Sequence, residues 1–204
     1  MFISFEGIDK SGKSTQVRLL ADFLFYEKNQ RVVVTREPGG TLFGEKIKKL
    51  VLKDEEVKAN PLAELFLYLA DRAQHVEKVI IPGLKEGKIV ISDRYADASF
   101  AYQGYGRGLD VSLICELNQK VTKGIWPDIT FLLNLDPEIA MKREKSSDKI
   151  EKEKLSFHKR VMEGYLELAR AYPQRIKVIK ADTSPSFIHN QIKKIILEKF
   201  SHEF

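Results

Sequence analysis

The stretch Gly7-Ile8-Asp9-Lys10-Ser11-Gly12-Lys13-Ser14 holds a glycine, four residues and then Gly-Lys-Ser, with Thr15 directly after. That spacing makes a cradle for an anion. The glycines let the backbone turn tightly and bring successive N–H groups onto a phosphate with no Cβ in the way. Lys13 carries a point charge to the terminal phosphates, and the Ser14 hydroxyl is an oxygen ligand for Mg²⁺. A helix starting here aims its positive end at the same anion. Gly7 through Thr15 are therefore the expected contacts of a nucleoside triphosphate, with Mg²⁺ accompanying it.

Other residues able to handle phosphate or a base sit at comparable places. Arg36-Glu37-Pro38 follows the β-branched run Val32-Val33-Val34-Thr35, and Asp93-Arg94-Tyr95 follows Lys88-Ile89-Val90-Ile91-Ser92. Asp93 is placed like a carboxylate that tunes a Mg²⁺ shell, and Arg94 offers a two-pronged fork for a phosphate. Read from residue type alone, Asp93 equally suits a helix cap, and the two together an internal ion pair. Tyr68 and Arg72 lie four apart, on one face of a helix. An aromatic ring stacks on a base and an arginine donates to a base carbonyl, although the same spacing describes a core edge beside solvent.

The elements that must position these residues alternate in type. Phe2-Ile3-Ser4-Phe5 reads as a buried strand before the cradle, and Val17, Leu20, Ala21 and Leu24 recur at helical spacing after it. Further strands are expected at 32–36, 88–92, 128–135 and 176–180, with helices between them. Asn60-Pro61, Asp110, Asp136-Pro137 and Ser184-Pro185 mark helix starts, and Gly104 to Gly108 reads as a glycine-rich loop. Near-continuous apolar strands alternating with helices imply a parallel sheet covered on both faces, an α/β fold of three layers with about five strands. In such sheets ligands bind at the carboxyl ends of the strands, where Asp9, Arg36, Glu37, Asp93, Arg94 and Asp182 all fall.

Composition narrows the class. The 204 residues suit one domain with a substantial core, and 43% are apolar. A single cysteine, Cys115, excludes an internal disulfide and fits a reducing compartment. Residues 1–7 lack a basic, apolar leader pattern, and no apolar run approaches the roughly 20 residues of a membrane span. A soluble, cytoplasmic protein is expected. The net charge of +5 comes without a dense basic tract, so a phosphate pocket explains its sign without invoking nucleic acid.

Taken together, the motifs resemble one family. Phe5-Glu6-Gly7-Ile8-Asp9-Lys10-Ser11-Gly12-Lys13-Ser14-Thr15, Thr35-Arg36-Glu37-Pro38-Gly39-Gly40-Thr41, Leu69-Ala70-Asp71-Arg72-Ala73-Gln74-His75, Asp93-Arg94-Tyr95 and Ala101-Tyr102-Gln103-Gly104 occur in the order and spacing of thymidylate kinases. Trp126-Pro127-Asp128 and Leu135-Asp136 extend the likeness over nearly the whole chain. The resemblance implies a P-loop kinase fold, a homodimer, and transfer of the γ-phosphoryl group of ATP to dTMP. By the same resemblance Tyr68 stacks on thymine and Arg72 reaches its carbonyl. Ser99 and Gln103 lie along the base, Tyr102 lies under the sugar, and Asp9 receives the 3′-hydroxyl. Arg36 and Arg94, beside Pro38, hold the monophosphate, and Glu37 and Asp93 stand near the metal. Arg143 flanks adenine, with Asp182 and Ser184 on its other side.

The polar stretch 142–160 has eight basic and four acidic side chains. Its part from about 143 to 154, with Lys145, Lys149 and Glu151, looks like a lid that closes over the phosphates and excludes water; a solvated helix surface is the alternative. Some thymidylate kinases carry arginine at the position of Lys10, and others carry glycine there with arginines in the lid. This chain has lysine at both, so its catalytic charge is expected to be shared between Lys10 and the lid. Another nucleoside monophosphate kinase is the competing enzyme. A guanine-nucleotide switch would need an Asn-Lys-x-Asp segment, which is absent, and a nucleic-acid motor would need a second module.

Overall fold

The computed structural model describes residues 1–143 and 148–200. Its five strands are β1 (Phe2–Glu6), β2 (Val32–Arg36), β3 (Ile89–Asp93), β4 (Ile129–Asn134) and β5 (Ile176–Lys180). They form one parallel sheet in the order β2-β3-β1-β4-β5. From β1 the chain crosses to the edge at β2, returns to β3, and then passes to the other side of β1 for β4 and β5. Its direction reverses beside β1, and the crevice at the carboxyl end of β1 is where such sheets bind ligands. β1 and β4 are buried on both faces because both are covered: Ile3, Phe5, Phe131 and Leu133 have no exposed surface, and on the opposite face Ser4 and Thr130 are buried and hydrogen-bonded to each other. β3 continues one residue past its expected end, so Asp93 belongs to the strand itself.

Helices cover the sheet. They are α1 (Lys13–Asp22), α2 (Leu42–Lys48), α3 (Pro61–His75), α4 (Ile81–Lys85), α5 (Ala96–Ser99), α6 (Val111–Val121), α7 (Pro137–Arg143), α8 (Leu155–Ala171) and α9 (Pro185–Lys199). Their starts follow local chemistry. The side chains of Thr41, Asn60, Asp110 and Ser184 each accept a backbone N–H of the first turn of α2, α3, α6 and α9. The main core lies between the sheet and α1, α8 and α9, and a smaller cluster of Leu65, Leu69, Phe100 and Ile114 joins α3 to α6. Wide π-helical turns prolong several helices, and one of them joins α3 to α4 without a break.

One such turn corrects the reading of Gly104–Gly108 as a loop. Phe100–Gly106 is helical and lies along α8. A Cβ at Gly106 would stand 2.7 Å from the Phe157 ring, and one at Gly164 would stand 2.7 Å from Tyr105. The glycines here serve close contact between helices, and only Gly108, at φ 79°, needs the left-handed conformation that ends the turn.

Candidate active site

Gly7 and Gly12 adopt φ 133° and 98°, and a Cβ on Gly7 would meet the Leu133 carbonyl oxygen at 2.6 Å. Glycine is required there for the loop to pass over β4. Lys13 is the first residue of α1 and is buried, its Nζ donating to the Ile8 carbonyl at 2.8 Å. Burial lowers its ammonium, and the neighbouring Arg94 charge lowers it further, to about 8. A triphosphate would oppose both effects. Ser14 Oγ donates to Asp93 Oδ2 at 2.6 Å. Gly12 to Thr15, Asp9 and Lys10 line an open cleft of about 1030 Å³ with Arg36, Asp93, Arg94, Arg143 and Glu151.

Arg143 closes one side of this cleft. It donates to the carbonyls of Lys10 at 3.0 Å and Ala181 at 3.2 Å, joining the phosphate loop to the segment before α9. Asp182 pairs with Lys180 at 3.3 Å and Ser184 caps α9; neither lines this cleft.

A second cavity, of about 480 Å³, opens beside the first. Asp9, Glu37, Pro38, Tyr68, Arg72, Arg94, Ser99, Tyr102 and Gln103 all line it. Every residue expected to hold dTMP is thus brought to one wall system except Arg36, which faces the larger cleft and pairs with Glu45 at 3.2 Å. Tyr68 is half-buried in the wall of this cavity, and burial pushes its hydroxyl up. Sequence reasoning missed four further walls: Leu52 from the wide turn that follows α2, Ala98 from α5, and Asp148 and Ile150 from the segment 143–154.

Asp9 and Arg94 connect the two spaces. Arg94 stands at φ 71° and donates to Gly7 O at 2.9 Å and Asp9 Oδ1 at 2.5 Å, with its guanidinium 4.9 Å from the centre of the Tyr102 ring. The Tyr102 hydroxyl donates to Asp9 Oδ2 at 3.1 Å. Burial pulls the Asp9 carboxyl up, but Arg94 and Lys13 outweigh it and hold it at about 2. Asp9 is therefore an ionised acceptor at neutral pH.

Arg72 is embedded more deeply than a base-reading role alone would require. Its Nε donates to Glu37 Oε2 at 2.7 Å, Nη1 to Ser99 Oγ and Asn118 Oδ1 at 2.7 Å each, and Nη2 to the Tyr95 carbonyl at 3.1 Å. One of the five guanidinium N–H groups is left over, on Nη2. The second oxygen of Glu37 meets His75 Nδ1 at 2.8 Å. Burial pulls the Glu37 carboxyl up, yet Arg72 and His75 hold it below the usual carboxylate range. Both Glu37 oxygens are thus engaged by protein, and Glu37 lines the base cavity as well as the phosphate cleft that holds Ser14 and Asp93. Asn118 comes from α6 and had no signal in the sequence.

Of the segment 143–154 expected to form a lid, Arg143 and the residues from Asp148 onward are described; Lys145 lies outside the described residues. Lys149 does not face the phosphate cleft. Its Nζ donates to the carbonyls of Leu50 at 3.1 Å, Asp54 at 2.7 Å and Val57 at 2.9 Å. Glu151 does face the cleft, with Oε2 3.8 Å from Lys10 Nζ.

Comparison with known proteins agrees with this geometry. The family model described as "Thymidylate kinase" matches residues 5–192. The thymidylate kinase of Maridesulfovibrio salexigens is 46% identical over 214 aligned positions, covering 100% of this chain and 98% of that protein. The thymidylate kinase of Kosmotoga olearia is 49% identical, covering 99% of each. The crystal structure of thymidylate kinase from Ehrlichia chaffeensis superposes with a TM-score of 0.80 at 40% identity, over 96% of this chain and 98% of that one. With a family match over most of its length and a sheet and phosphate loop to go with it, the chain belongs to the thymidylate kinase family.

Proposed function

We propose that this chain transfers the γ-phosphoryl group of ATP to dTMP, giving dTDP and ADP, in the supply of dTTP. The observation that carries the reading is the meeting of two cavities at Asp9 and Arg94, one built from the phosphate loop and one lined by Tyr68, Arg72, Ser99, Tyr102 and Gln103. The attacking oxygen already belongs to a phosphate, so no strong base is needed. Alignment and neutralisation of charge supply the catalysis. Lys13, Lys10, Arg94 and Arg36 converge on the cleft where the two phosphate chains meet. Tyr68 stacks on the base, and the free Nη2 proton of Arg72 is turned to a base carbonyl. Tyr102, fixed by Asp9, floors the sugar.

Ser14 and Asp93 would hold Mg²⁺ together with the triphosphate. Their hydroxyl and carboxylate are hard oxygen donors already side by side at 2.6 Å. Among the described residues no group of three or more His, Cys, Asp or Glu is placed to hold a metal. Bound there, the ion neutralises charge on the phosphates. Arg143, Asp182 and Ser184 belong to the adenine side, and residues 143–154 form the lid of a single catalytic domain.

The chain acts as a homodimer in this reading. Leu42, Phe43, Leu62 and Phe66, from α2 and α3, are large apolar side chains left exposed together with Val111 and Leu113 of α6. Among the described residues no helix is long and apolar enough to cross a membrane, and a cytoplasmic location follows from a nucleotide substrate. A coupled ADP-release assay with ATP, Mg²⁺ and a panel of nucleoside monophosphates tests the function. dTMP should be consumed far faster than CMP or GMP, and equal turnover of a purine monophosphate would overturn the assignment.

A further inference from the structure

Gln103 stands between two cavities. It lines the 480 Å³ nucleotide cavity, whereas Glu64 lines a separate one of about 690 Å³ on the far side, together with Arg107 and Glu153. Across that wall Gln103 Nε2 donates to Glu64 Oε1 at 2.8 Å. Glu64 is 9% exposed and is clamped by Arg107, whose Nε reaches Oε1 at 3.3 Å and whose Nη2 reaches Oε2 at 3.1 Å. A carboxylate paired with a guanidinium accepts hydrogen bonds and donates none. Only the nitrogen end of the Gln103 amide can face it, so the amide oxygen is turned to the opposite edge. Among the described residues no donor engages Gln103 Oε1, nor is it one of the sealed, orphaned polar atoms. It therefore opens into the nucleotide cavity.

We infer that Glu64 is a positioning residue for base choice: clamped by Arg107, it fixes Gln103 with an acceptor toward the base and so selects a pyrimidine whose ring nitrogen carries a proton. The inference rests on the dTMP reading above and names how one part of that selectivity arises. Thymine presents an N–H between two carbonyls, where cytosine presents a bare nitrogen. Without Glu64 an amide could turn either end to the base and serve both. With Glu64 in place, cytosine sets a lone pair against Oε1, and a buried acceptor goes unpaired. Arg107 also bonds Glu153, so the anchor is tied to the segment that leads into α8.

Glu64→Gln removes the acceptor-only partner while keeping size and polarity, and Glu64→Met removes the partner altogether. The ratio of kcat/KM for dTMP to that for dCMP should fall by about tenfold or more in either folded variant. The KM for ATP should stay within about twofold of wild type. A further Gln103→Met change should lower the ratio little beyond Glu64→Met, because the two act as one unit. On the unaltered protein, 3-methylthymidine monophosphate, which has no ring N–H, should be turned over far more slowly than dTMP whether or not the variants fold. An unchanged ratio in a folded Glu64 variant, or equal turnover of the 3-methyl analogue, overturns the inference. dTMP turnover by wild type in the same assay judges the kinase reading separately: a chain that ignores dTMP fails that reading, and one that accepts dTMP with an unchanged ratio fails only this inference.

Discussion

Replacing Arg72 with alanine should unfold part of the stability of this chain before it reports on base recognition. The guanidinium is 2% exposed and makes hydrogen bonds to Glu37, Ser99, Asn118 and the Tyr95 carbonyl. Its removal leaves the buried Glu37 carboxylate with His75 as its remaining close partner and takes the donor from Ser99 Oγ and Asn118 Oδ1, while the Tyr95 carbonyl keeps the Ala98 N–H. Removing one partner of a buried ion pair costs about 3–5 kcal/mol. For a chain of this size each kcal/mol moves the melting temperature by about 2–4 °C, so a fall of about 6–20 °C is expected. Thermal melting followed by circular dichroism, with and without dTMP, measures it. The double change Arg72→Met with Glu37→Gln should recover part of the loss, because neither buried charge is then left alone. A melting temperature within about 2 °C of wild type for Arg72→Ala would refute the argument, since it would mean that the four contacts contribute nothing net.

Lys13→Ala should lower turnover by about 10²-fold or more with the melting temperature little changed, because the lysine neutralises charge on the transferring group; near-normal turnover of the folded variant would count against the site. Asp71, which accepts the Gly39 N–H at 3.3 Å, has its carboxyl pushed up by burial, with the Glu37 charge adding to it, from 3.8 to about 7. Its folded-state value lies above its unfolded one, so the stability it contributes is present below about pH 4 and is lost as pH rises through about 7. Asp71→Asn should flatten the melting-temperature profile across that window, and parallel profiles would contradict this. Lys149→Met should destabilise the chain by about 1–3 kcal/mol through the loss of its hydrogen bonds to three carbonyls, while turnover with both nucleotides saturating stays within about threefold. A large loss of turnover at unchanged stability would show that Lys149 acts on the phosphates.

How much of this was legible depended on the distance between partners. The phosphate cradle is written in eight consecutive residues, because its geometry is a property of local backbone, and the helix starts at Asn60, Asp110 and Ser184 are equally local. Tyr68 and Arg72 share a helix face by simple periodicity. What that face meets is not periodic. The Asn118 oxygen that holds Arg72 lies 46 positions away, and the Glu37 carboxylate lies 35 away. The family resemblance sets Glu37 near the metal, but no local motif shows that its two oxygens are engaged by Arg72 and His75. Gly104 and Gly106 read as loop residues because glycine breaks helices in isolation. Here a neighbouring helix packs so closely that nothing larger fits at Gly106. Glu64 carried no signal at all, being one glutamate among eighteen.

The lid shows how tertiary structure redistributes charges that a sequence presents as equivalent. Lys145 and Lys149 stand in one polar run, and a run of cations beside a phosphate cradle invites the view that all of them reach the phosphates. A lysine ammonium has three protons, and the Lys149 Nζ donates to three backbone carbonyls at the end of the segment following α2. That contact draws Asp148 and Ile150 against Leu52 as walls of the base cavity. It also leaves Glu151 near Lys10 Nζ, at the rim of the phosphate cleft. Lys10 is itself held at φ 64°, in a loop whose carbonyl Arg143 grips from the other side. Lys149 thus seats the segment, and the seated segment places a carboxylate beside Lys10, which lines the phosphate cleft with Lys13 and Arg94.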